Sequence, residues 1–208
     1  MTAVVFDFGG VLLRWQPAQL IRDLLPQRAP DDDSARQVAG QIFQSYGGDW
    51  AEFDRGTLEP PALLERLAAR TGLPAAEVQR VVDAVPHALQ PLPDTVALME
   101  RLHAAGHTLF YLSNMPRPYA DFLLATHGFL GRFRDGVFSG RVGHNKPERE
   151  IFEIASARFG RMPGELLFID DHAPNVAAAQ ALGWQSFVFE GAAAAEAEFT
   201  RRGLLPGG

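Results

Sequence analysis

Four short polar segments carry the side chains of this sequence that could do chemistry together. Each of them follows a short apolar run or precedes a predicted helix: Asp7, Ser113-Asn114, Lys146 and Asp170-Asp171. They supply three carboxylates, a hydroxyl, an amide and an ammonium group. Carboxylates that share a crevice repel each other unless a cation joins them. Oxygen ligands of this kind favour Mg²⁺.

This combination of groups suits a phosphoryl group. A cation and the Lys146 ammonium can neutralise the charge of a phosphate, and the Ser113 hydroxyl can hold one of its oxygens. A carboxylate such as Asp7 can then attack the phosphorus atom and form an acyl phosphate. The sequence contains no Cys, so thiolate metal sites and disulfides are excluded.

The segment 3–6 predicts the strand that positions the first carboxylate. It is apolar, β-branched in its middle and followed closely by glycines, which is typical of a buried parallel strand. Asp7 would then stand at the C-terminal end of the strand, where ligands bind in open α/β sheets. Gly9-Gly10 would let the backbone approach an anion or a metal closely.

Helices and strands are predicted to alternate from Pro91 onward. The predicted strands cover residues 108–112, 136–139, 166–169 and 186–189, and the predicted helices cover 94–105, 118–127, 147–155 and 173–182. This alternation indicates βαβ units and a parallel sheet, hence an α/β fold. The chemistry-bearing segments would meet at one edge of that sheet. A final Ala-rich helix is predicted over 192–202.

Residues 16–88 are predicted to contain four short helices and no strand. Ser34 and Gln37 resemble a capping box, and Thr57 is the expected cap of the third helix. Residues 53–56 are expected to form a loop between two of the helices. The predicted organisation is therefore a core of residues 1–15 and 89–208 with a helical insertion at 16–88.

Composition and charge narrow the class of protein. The hydrophobic fraction of 47% and the charged fraction of 21% are ordinary for a globular protein. A net charge of −6 does not favour nucleic acid or anionic lipid as a partner. No apolar run is long enough to cross a membrane, and no basic segment precedes the first strand. We expect a cytoplasmic protein whose partner is a small molecule.

The sequence resembles the haloacid dehalogenase-like (HAD) hydrolase superfamily over about residues 3–190. Four motifs carry the resemblance, in the order of the family: Asp7-Phe8-Gly9-Gly10-Val11, Leu112-Ser113-Asn114, Lys146-Pro147 and Ile169-Asp170-Asp171. The insertion resembles the α-helical cap of that family, which implies a Rossmann-like core beneath it. Longer stretches are similar to the subgroup typified by α-D-glucose-1-phosphate phosphatase and to the phosphatase domain of soluble epoxide hydrolases.

The resemblance implies Mg²⁺-dependent hydrolysis of a small phosphorylated metabolite, with a sugar phosphate favoured, through an aspartyl-phosphate. Asp7 would be the nucleophile, and Lys146 would pair with it and with the phosphate. Ser113 and Asn114 would hold phosphate oxygens. Four groups would bind magnesium, Asp170 directly or through water: Asp7, the Gly9 carbonyl oxygen, Asp170 and Asp171.

The insertion offers one further candidate. Phe53-Asp54-Arg55-Gly56 matches the place of the family's substrate-specificity loop, so Arg55 is a candidate phosphate or substrate contact. An Arg beside Gly in a loop is otherwise usually solvated. Ser113-Asn114 and Asp170-Asp171 could likewise be ordinary helix caps if they stood alone.

Gly9 is a departure from the pattern of most phosphatases of the family, which carry a general acid at that position. General acid–base catalysis contributes about 10²–10⁴-fold in rate. Without it, the enzyme could prefer better leaving groups such as sugar 1-phosphates or acyl phosphates, His172 or a residue of the cap could substitute, or turnover could be slow or absent. Dehalogenases of the superfamily also lack this acid, but they need no acidic pair such as Asp170-Asp171. The alternatives to a phosphatase are therefore a 2-haloacid dehalogenase and a degenerate phosphate-binding protein.

Overall fold

A computed structural model describes residues 2–206 of the chain. Its sheet has five strands in the order β3-β2-β1-β4-β5, and every neighbouring pair is parallel. The strands are β1 (Ala3–Phe6), β2 (Leu109–Ser113), β3 (Asp135–Phe138), β4 (Leu166–Asp170) and β5 (Gln185–Val188). The predicted α/β class and the five predicted strands are confirmed.

Strand β1 lies in the centre of the sheet, which explains why all four of its residues are apolar and buried. It pairs with β2 on one side and with β4 on the other. The C-terminal ends of these three strands therefore adjoin one another. Asp7, Ser113 and Asp170 consequently meet at one edge of the sheet.

Helices cover both the insertion and the sheet. Those of the insertion are α1 (Pro17–Leu24), α2 (Asp32–Phe43), α3 (Gly48–Arg55), α4 (Pro60–Thr71) and α5 (Ala75–Ala88). Those around the sheet are α6 (Pro93–Ala104), α7 (Arg117–Thr126), α8 (Ser139–Val142), α9 (Arg149–Phe159), α10 (Ala173–Ala181) and α11 (Ala192–Arg201). Within residues 2–206, none of them is both long and apolar enough to span a bilayer.

Helix α3 is the main difference from the sequence prediction, which had four helices in the insertion and a loop at residues 53–56. The helix has eight residues, and its two large apolar side chains, Trp50 and Phe53, are both buried. So short a helix is marginal by itself and depends on tertiary packing. Gly47-Gly48 and Gly56 flank this short segment, and for that reason the sequence indicated a turn and not a helix.

Two predicted helix caps are also wrong. The backbone N–H of Ser34 donates to the Asp31 carboxylate, so Asp31 is the cap of α2 and Ser34 lies inside its first turn. Thr57 donates its hydroxyl to the Glu52 carbonyl and thus belongs to the end of α3. Helix α4 begins only after Glu59. In both places the residue that was expected to cap a helix is hydrogen-bonded to a different polar group nearby.

Two chain segments connect the insertion to the sheet, and they run side by side. The Arg14 N–H donates to the Gln90 carbonyl at 2.7 Å, and the Leu92 N–H donates to the Leu12 carbonyl at 2.9 Å. This pairing lies close to the predicted boundaries at residues 15–16 and 88–89. The division into a core and a cap domain stays a prediction.

Candidate active site

A cavity of about 260 Å³ lies between the C-terminal edge of the sheet and the insertion. Residues of all four sequence motifs line it from the sheet side: Asp7, Gly9, Ser113, Asn114, Lys146 and Asp171. The facing wall comes from the insertion and its connections: Trp15, Ser45, Trp50, Asp54, Val85 and Leu89. The structure therefore brings the motif residues together, while Arg55 is not among the lining residues.

Lys146 is the centre of the polar cluster. Its ammonium nitrogen lies 2.8 Å from Asp7 Oδ1 and 2.6 Å from Asp170 Oδ2, and the side chain is buried. Burial alone would lower the pKa of Lys146, but the carboxylates of Asp170 and Asp7 outweigh it and raise that pKa above its ordinary value. Lys146 is therefore a fixed positive charge beside Asp7.

Asp170 holds Lys146 in place with a carboxylate that is fully buried. Its Oδ1 accepts hydrogen bonds from the His172 backbone N–H at 2.8 Å and from Asn175 Nδ2 at 3.1 Å. Its Oδ2 accepts from Lys146 at 2.6 Å. Because donors already occupy both oxygens, Asp170 is better placed to orient Lys146 than to be the main ligand of a metal.

Asn114 lines the cavity, as the sequence predicted, but both ends of its side-chain amide contact the Lys146 backbone. Its Oδ1 accepts from the Lys146 backbone N–H at 2.7 Å, and its Nδ2 donates to the Lys146 carbonyl at 3.0 Å. The amide thus positions the lysine backbone, and its contact with phosphate oxygens stays a prediction. Ser113, buried at the end of β2, lines the cavity. Its hydroxyl stays the predicted phosphate contact.

One carboxylate oxygen of Asp7, Oδ1, is buried and accepts no hydrogen bond from within residues 2–206. The contact between Asp7 Oδ1 and Lys146 is an ion pair without hydrogen-bond geometry, so this oxygen has no hydrogen-bond donor among the described residues. Burial raises the pKa of Asp7 to about 7; Lys146 opposes this rise, and Asp170 and Asp171 add to it. A carboxylate in such surroundings is stabilised by any cation that approaches it.

The carboxylates at this edge fit a divalent cation. Asp7, Asp170 and Asp171 each offer an oxygen, and these oxygens lie within 4.8 Å of one another. Gly10 makes this arrangement possible, because its φ is +76° and a Cβ there would lie 2.2 Å from Asp171 Oδ2. Clustered carboxylate oxygens are the ligands that Mg²⁺ prefers.

Arg55 turns away from the cavity. Its guanidinium donates two hydrogen bonds to the Glu148 carboxylate, at 3.0 Å and 2.5 Å, and thereby ties α3 to the chain just before α9. The predicted contact between Arg55 and phosphate finds no support in this geometry, because the carboxylate of Glu148 already occupies the guanidinium.

Asp54 is the cavity residue that the sequence prediction overlooked. It is buried and reaches the cavity from α3, across from the sheet edge. Burial raises the pKa of Asp54 to about 8, against an opposing effect of Lys146. The signal lay in the spacing, since Trp50, Phe53 and Asp54 share one face only if the segment is a helix.

The rest of the cavity wall is largely apolar. It consists of aromatic and aliphatic side chains and one proline: Trp15, Trp50, Val85, Leu89, Met115, Pro116 and Tyr119. The Tyr119 hydroxyl donates to the Val82 carbonyl at 2.7 Å, so its polar end is already engaged. Trp50 packs edge-to-face against Phe43 and Phe53. The polar side chains of the cavity are thus concentrated at the sheet edge, and the facing wall adds Asp54 and Ser45.

Known proteins are similar to this chain in sequence and in fold. The family model for haloacid dehalogenase-like hydrolase matches residues 1–183. Sesquiterpene phosphatase astK of Aspergillus oryzae is 30% identical over 182 residues, which cover 87% of this chain and 86% of that protein. The phosphoglycolate phosphatase of Aliivibrio fischeri is 25% identical over 194 residues, which cover 88% and 82% of the two chains.

A solved structure extends the similarity to the fold. A HAD family enzyme from Bacteroides thetaiotaomicron, in complex with magnesium and inorganic phosphate, superposes with a TM-score of 0.68 at 20% identity. The match covers 90% of this chain and 93% of that one. Identity at this level shows a shared fold.

Proposed function

Because this chain belongs to the haloacid dehalogenase-like hydrolase family, we propose that it hydrolyses a small phosphomonoester with Mg²⁺, through an aspartyl-phosphate on Asp7. The ion pair of Lys146 with Asp7 and Asp170, facing the cavity, carries this proposal. It places a nucleophilic oxygen, a fixed positive charge and a metal-binding edge around one point. Phosphoryl transfer depends on positioning and charge stabilisation of this kind.

Four groups would hold the ion: Asp7, the Gly9 carbonyl oxygen and Asp171 directly, and Asp170 directly or through a water molecule. When bound, Mg²⁺ neutralises phosphate charge and polarises the phosphorus–oxygen bonds. Named relatives support the phosphatase assignment, since sesquiterpene phosphatase astK and the phosphoglycolate phosphatase both carry that activity in their names.

Each residue of the site has a separate role in the proposed reaction. An oxygen of Asp7 attacks phosphorus, the ester P–O bond breaks, and the alcohol oxygen leaves and takes up a proton. Lys146 and the Ser113 hydroxyl stabilise the charge on the phosphoryl oxygens. A water molecule then attacks the same phosphorus, the P–O bond to Asp7 breaks, and inorganic phosphate leaves. Asp170 holds the Lys146 ammonium group in place, and Asn114 holds the Lys146 backbone.

The side chains of the cavity wall indicate which kind of alcohol the substrate carries. A sugar phosphate, which the sequence favoured, would present hydroxyl groups that need hydrogen-bond partners. The wall opposite the polar cluster instead offers rings and aliphatic chains, Trp15, Trp50 and Leu89 among them. We therefore propose an apolar alcohol. The name of sesquiterpene phosphatase astK supports this class of leaving group.

The test measures phosphate release from an isoprenyl phosphate, an alkyl phosphate, glucose 1-phosphate and phosphoglycolate, with Mg²⁺ and with a chelator. We expect release to require Mg²⁺ and to be fastest with the isoprenyl ester. Asp7→Asn should abolish release and keep the circular dichroism spectrum. Asp23→Asn, an exposed acid on α1, is the matched control and should behave as wild type.

Each contrary result has a distinct meaning. Faster release from glucose 1-phosphate than from the isoprenyl ester would contradict the apolar alcohol but keep the phosphatase. Halide release from 2-haloacids without Mg²⁺ would indicate a dehalogenase. Phosphate binding without turnover of any ester would indicate a binding protein.

A further inference from the structure

The proposed reaction lacks a proton donor in the loop after β1. Residue 9, two positions after the nucleophile, is glycine and has no side chain to donate a proton. A leaving alkoxide is a poor leaving group unless a positioned acid protonates it. The donor must therefore come from another part of the cavity.

The acids that line the cavity leave one candidate. Among the described residues these acids are Asp7, Asp54 and Asp171. Asp7 is the nucleophile of the proposed reaction, and Asp171 belongs to the cluster that fits the metal. His172 also lines the cavity, but it is exposed and directly follows this cluster. Asp54 approaches from the opposite wall, on the side where the alcohol would lie.

We propose that Asp54, supplied by the helical insertion, protonates the leaving alcohol and then accepts the proton of the hydrolytic water. This inference rests on the proposed phosphatase function. It assigns to the insertion a direct part in the chemistry, in place of the acid that Gly9 cannot provide.

Three contacts with the sheet side hold the backbone around Asp54 in place. The Ser139 hydroxyl donates to the Asp54 carbonyl at 2.6 Å, and Asn145 Nδ2 donates to the Ala51 carbonyl at 2.8 Å. Gly56, two residues later, packs so closely on α8 that a Cβ would lie 2.5 Å from the Gly140 carbonyl oxygen. A proton donor needs such fixed placement to reach the reacting oxygen.

The surroundings keep this carboxyl able to donate. Burial raises its pKa to about 8, and Lys146 is the cation that opposes this rise. Helix α7 presents Tyr119, whose own pKa is raised by burial and by Asp54. From helix α8, the Ser139 hydroxyl contacts the Asp54 backbone carbonyl, and Asp7 lies across the cavity at the sheet edge. At neutral pH Asp54 is therefore mainly a neutral carboxylic acid, the form that a general acid requires.

The proton and electron pairs balance over the two half-reactions. In the first, Asp7 bonds to phosphorus, the ester P–O bond breaks with its electron pair on the alcohol oxygen, and the Asp54 proton moves to that oxygen. In the second, water bonds to phosphorus, its proton moves to the Asp54 carboxylate, and the P–O bond to Asp7 breaks. Both carboxyl groups return to their starting states, and the products are the alcohol and phosphate.

The experiment compares Asp54→Asn with wild type on two esters. For an alkyl phosphate, we expect the variant to lower kcat by about 10²-fold or more. For p-nitrophenyl phosphate, whose phenolate leaves without a proton, the pre-steady-state burst of nitrophenolate should be nearly unchanged. The steady-state rate after the burst should fall, because hydrolysis of the aspartyl-phosphate then lacks its base. Glu52→Gln, an exposed acid on the same helix, is the control and should change neither rate.

A spectroscopic measurement tests the protonation state without turnover. The infrared difference spectrum of wild type minus Asp54→Asn at neutral pH should contain the C=O stretch of a protonated carboxyl group. An ionised Asp54, an unchanged alkyl phosphate rate, or equal losses of the burst and the alkyl rate would each overturn the proposal. If wild type releases phosphate from neither of these esters nor from the isoprenyl phosphate, the phosphatase function itself fails, and this inference fails with it.

Discussion

Gly10 shows how one absent methyl group shapes the proposed metal site. A Cβ at this position would overlap the Asp171 carboxylate, 2.2 Å from Oδ2. We predict that Gly10→Ala weakens Mg²⁺ binding by about 10-fold or more, the range that follows the loss of ligand orientation. Titration calorimetry with MgCl₂ measures this change.

Gly106→Ala separates the loss of metal affinity from backbone strain. Gly106 has a similar positive φ of +86° but no atom within 4 Å of a built Cβ. Both substitutions should lower the free energy of unfolding by about 1–2 kcal/mol, the usual penalty of the left-handed conformation. Only Gly10→Ala should weaken Mg²⁺ binding. Equal affinities in the two variants would contradict the proposed role of Asp171.

Asp54 lowers the stability of the fold at neutral and alkaline pH. Its pKa is raised from 3.8 to about 8 on folding, so between these values the folded state binds more protons than the unfolded state. Stability therefore falls as the pH rises through this window. We predict that Asp54→Asn equals wild type near pH 4 and exceeds it by a few kcal/mol near pH 8, as measured by urea unfolding without Mg²⁺.

Glu52→Gln supplies the reference for this pH dependence. Glu52 is on the same helix, is exposed, and pairs with Arg66 at 2.9 Å. Its variant should follow the wild-type decline of stability with pH. If Asp54→Asn declined in parallel with wild type, Asp54 would not carry the raised pKa.

At the scale of the element, helix α3 decides where the acid stands. Its last turn packs against α8, and Gly56, with φ of +77°, leaves no room for a Cβ beside the Gly140 carbonyl oxygen. We predict that Gly56→Ala displaces α3 and lowers kcat for an alkyl phosphate, while circular dichroism still shows a folded protein.

The matched control for this substitution is Gly72→Ala. Gly72 ends α4 with φ of +71° and has nothing within 4 Å of a built Cβ. It therefore incurs the same left-handed penalty of about 1–2 kcal/mol without the clash. Comparable rates in the two variants would mean that the close approach of α3 to α8 does not position the acid.

The sheet could be predicted from sequence because its elements are locally consistent. Apolar runs such as 3–6 and 166–169 end in polar residues, and the parallel order then places those residues at one edge. Helix α3 could not be predicted in this way, because Trp50 and Phe53 find their packing partners only in the folded protein. Missing the helix also meant missing Asp54.

For the site, too, local sequence patterns predicted the backbone positions but not the contacts that form only in the folded protein. The positions of Asp7 and Asp170 at strand ends predicted that these two residues would meet. Lys146, in the loop before α9, was expected to reach the same edge. The sequence could not predict how side chains are satisfied once they meet. Asn114 binds the backbone of Lys146, and Arg55 binds Glu148. Both are partners far apart in sequence, which no local pattern reveals.

At the scale of the whole molecule, the cavity belongs to neither the sheet nor the insertion alone. The sheet edge supplies the nucleophile and the charges, and the insertion supplies the apolar wall and Asp54. Contacts that cross between the two parts therefore bear on function as well as stability. Among the described residues, Arg55 and Glu148 form a partly buried ion pair of this kind, and Glu148 Oε2 also lies 3.3 Å from His144 Nδ1.

This pair allows a decision between two roles for Arg55. If it ties the insertion to the sheet side, Arg55→Met, Glu148→Gln and the double variant should all raise KM to a similar extent, because removing either partner breaks the same contact. The coupling free energy should be about 0.5–1 kcal/mol, as for partly exposed pairs. If Arg55 instead binds phosphate, Arg55→Met alone should weaken product inhibition by inorganic phosphate, and Glu148→Gln should not. Arg66→Met is the control: Arg66 lies on α4, is exposed and pairs with Glu52 of α3, so its loss should leave KM and the inhibition constant unchanged.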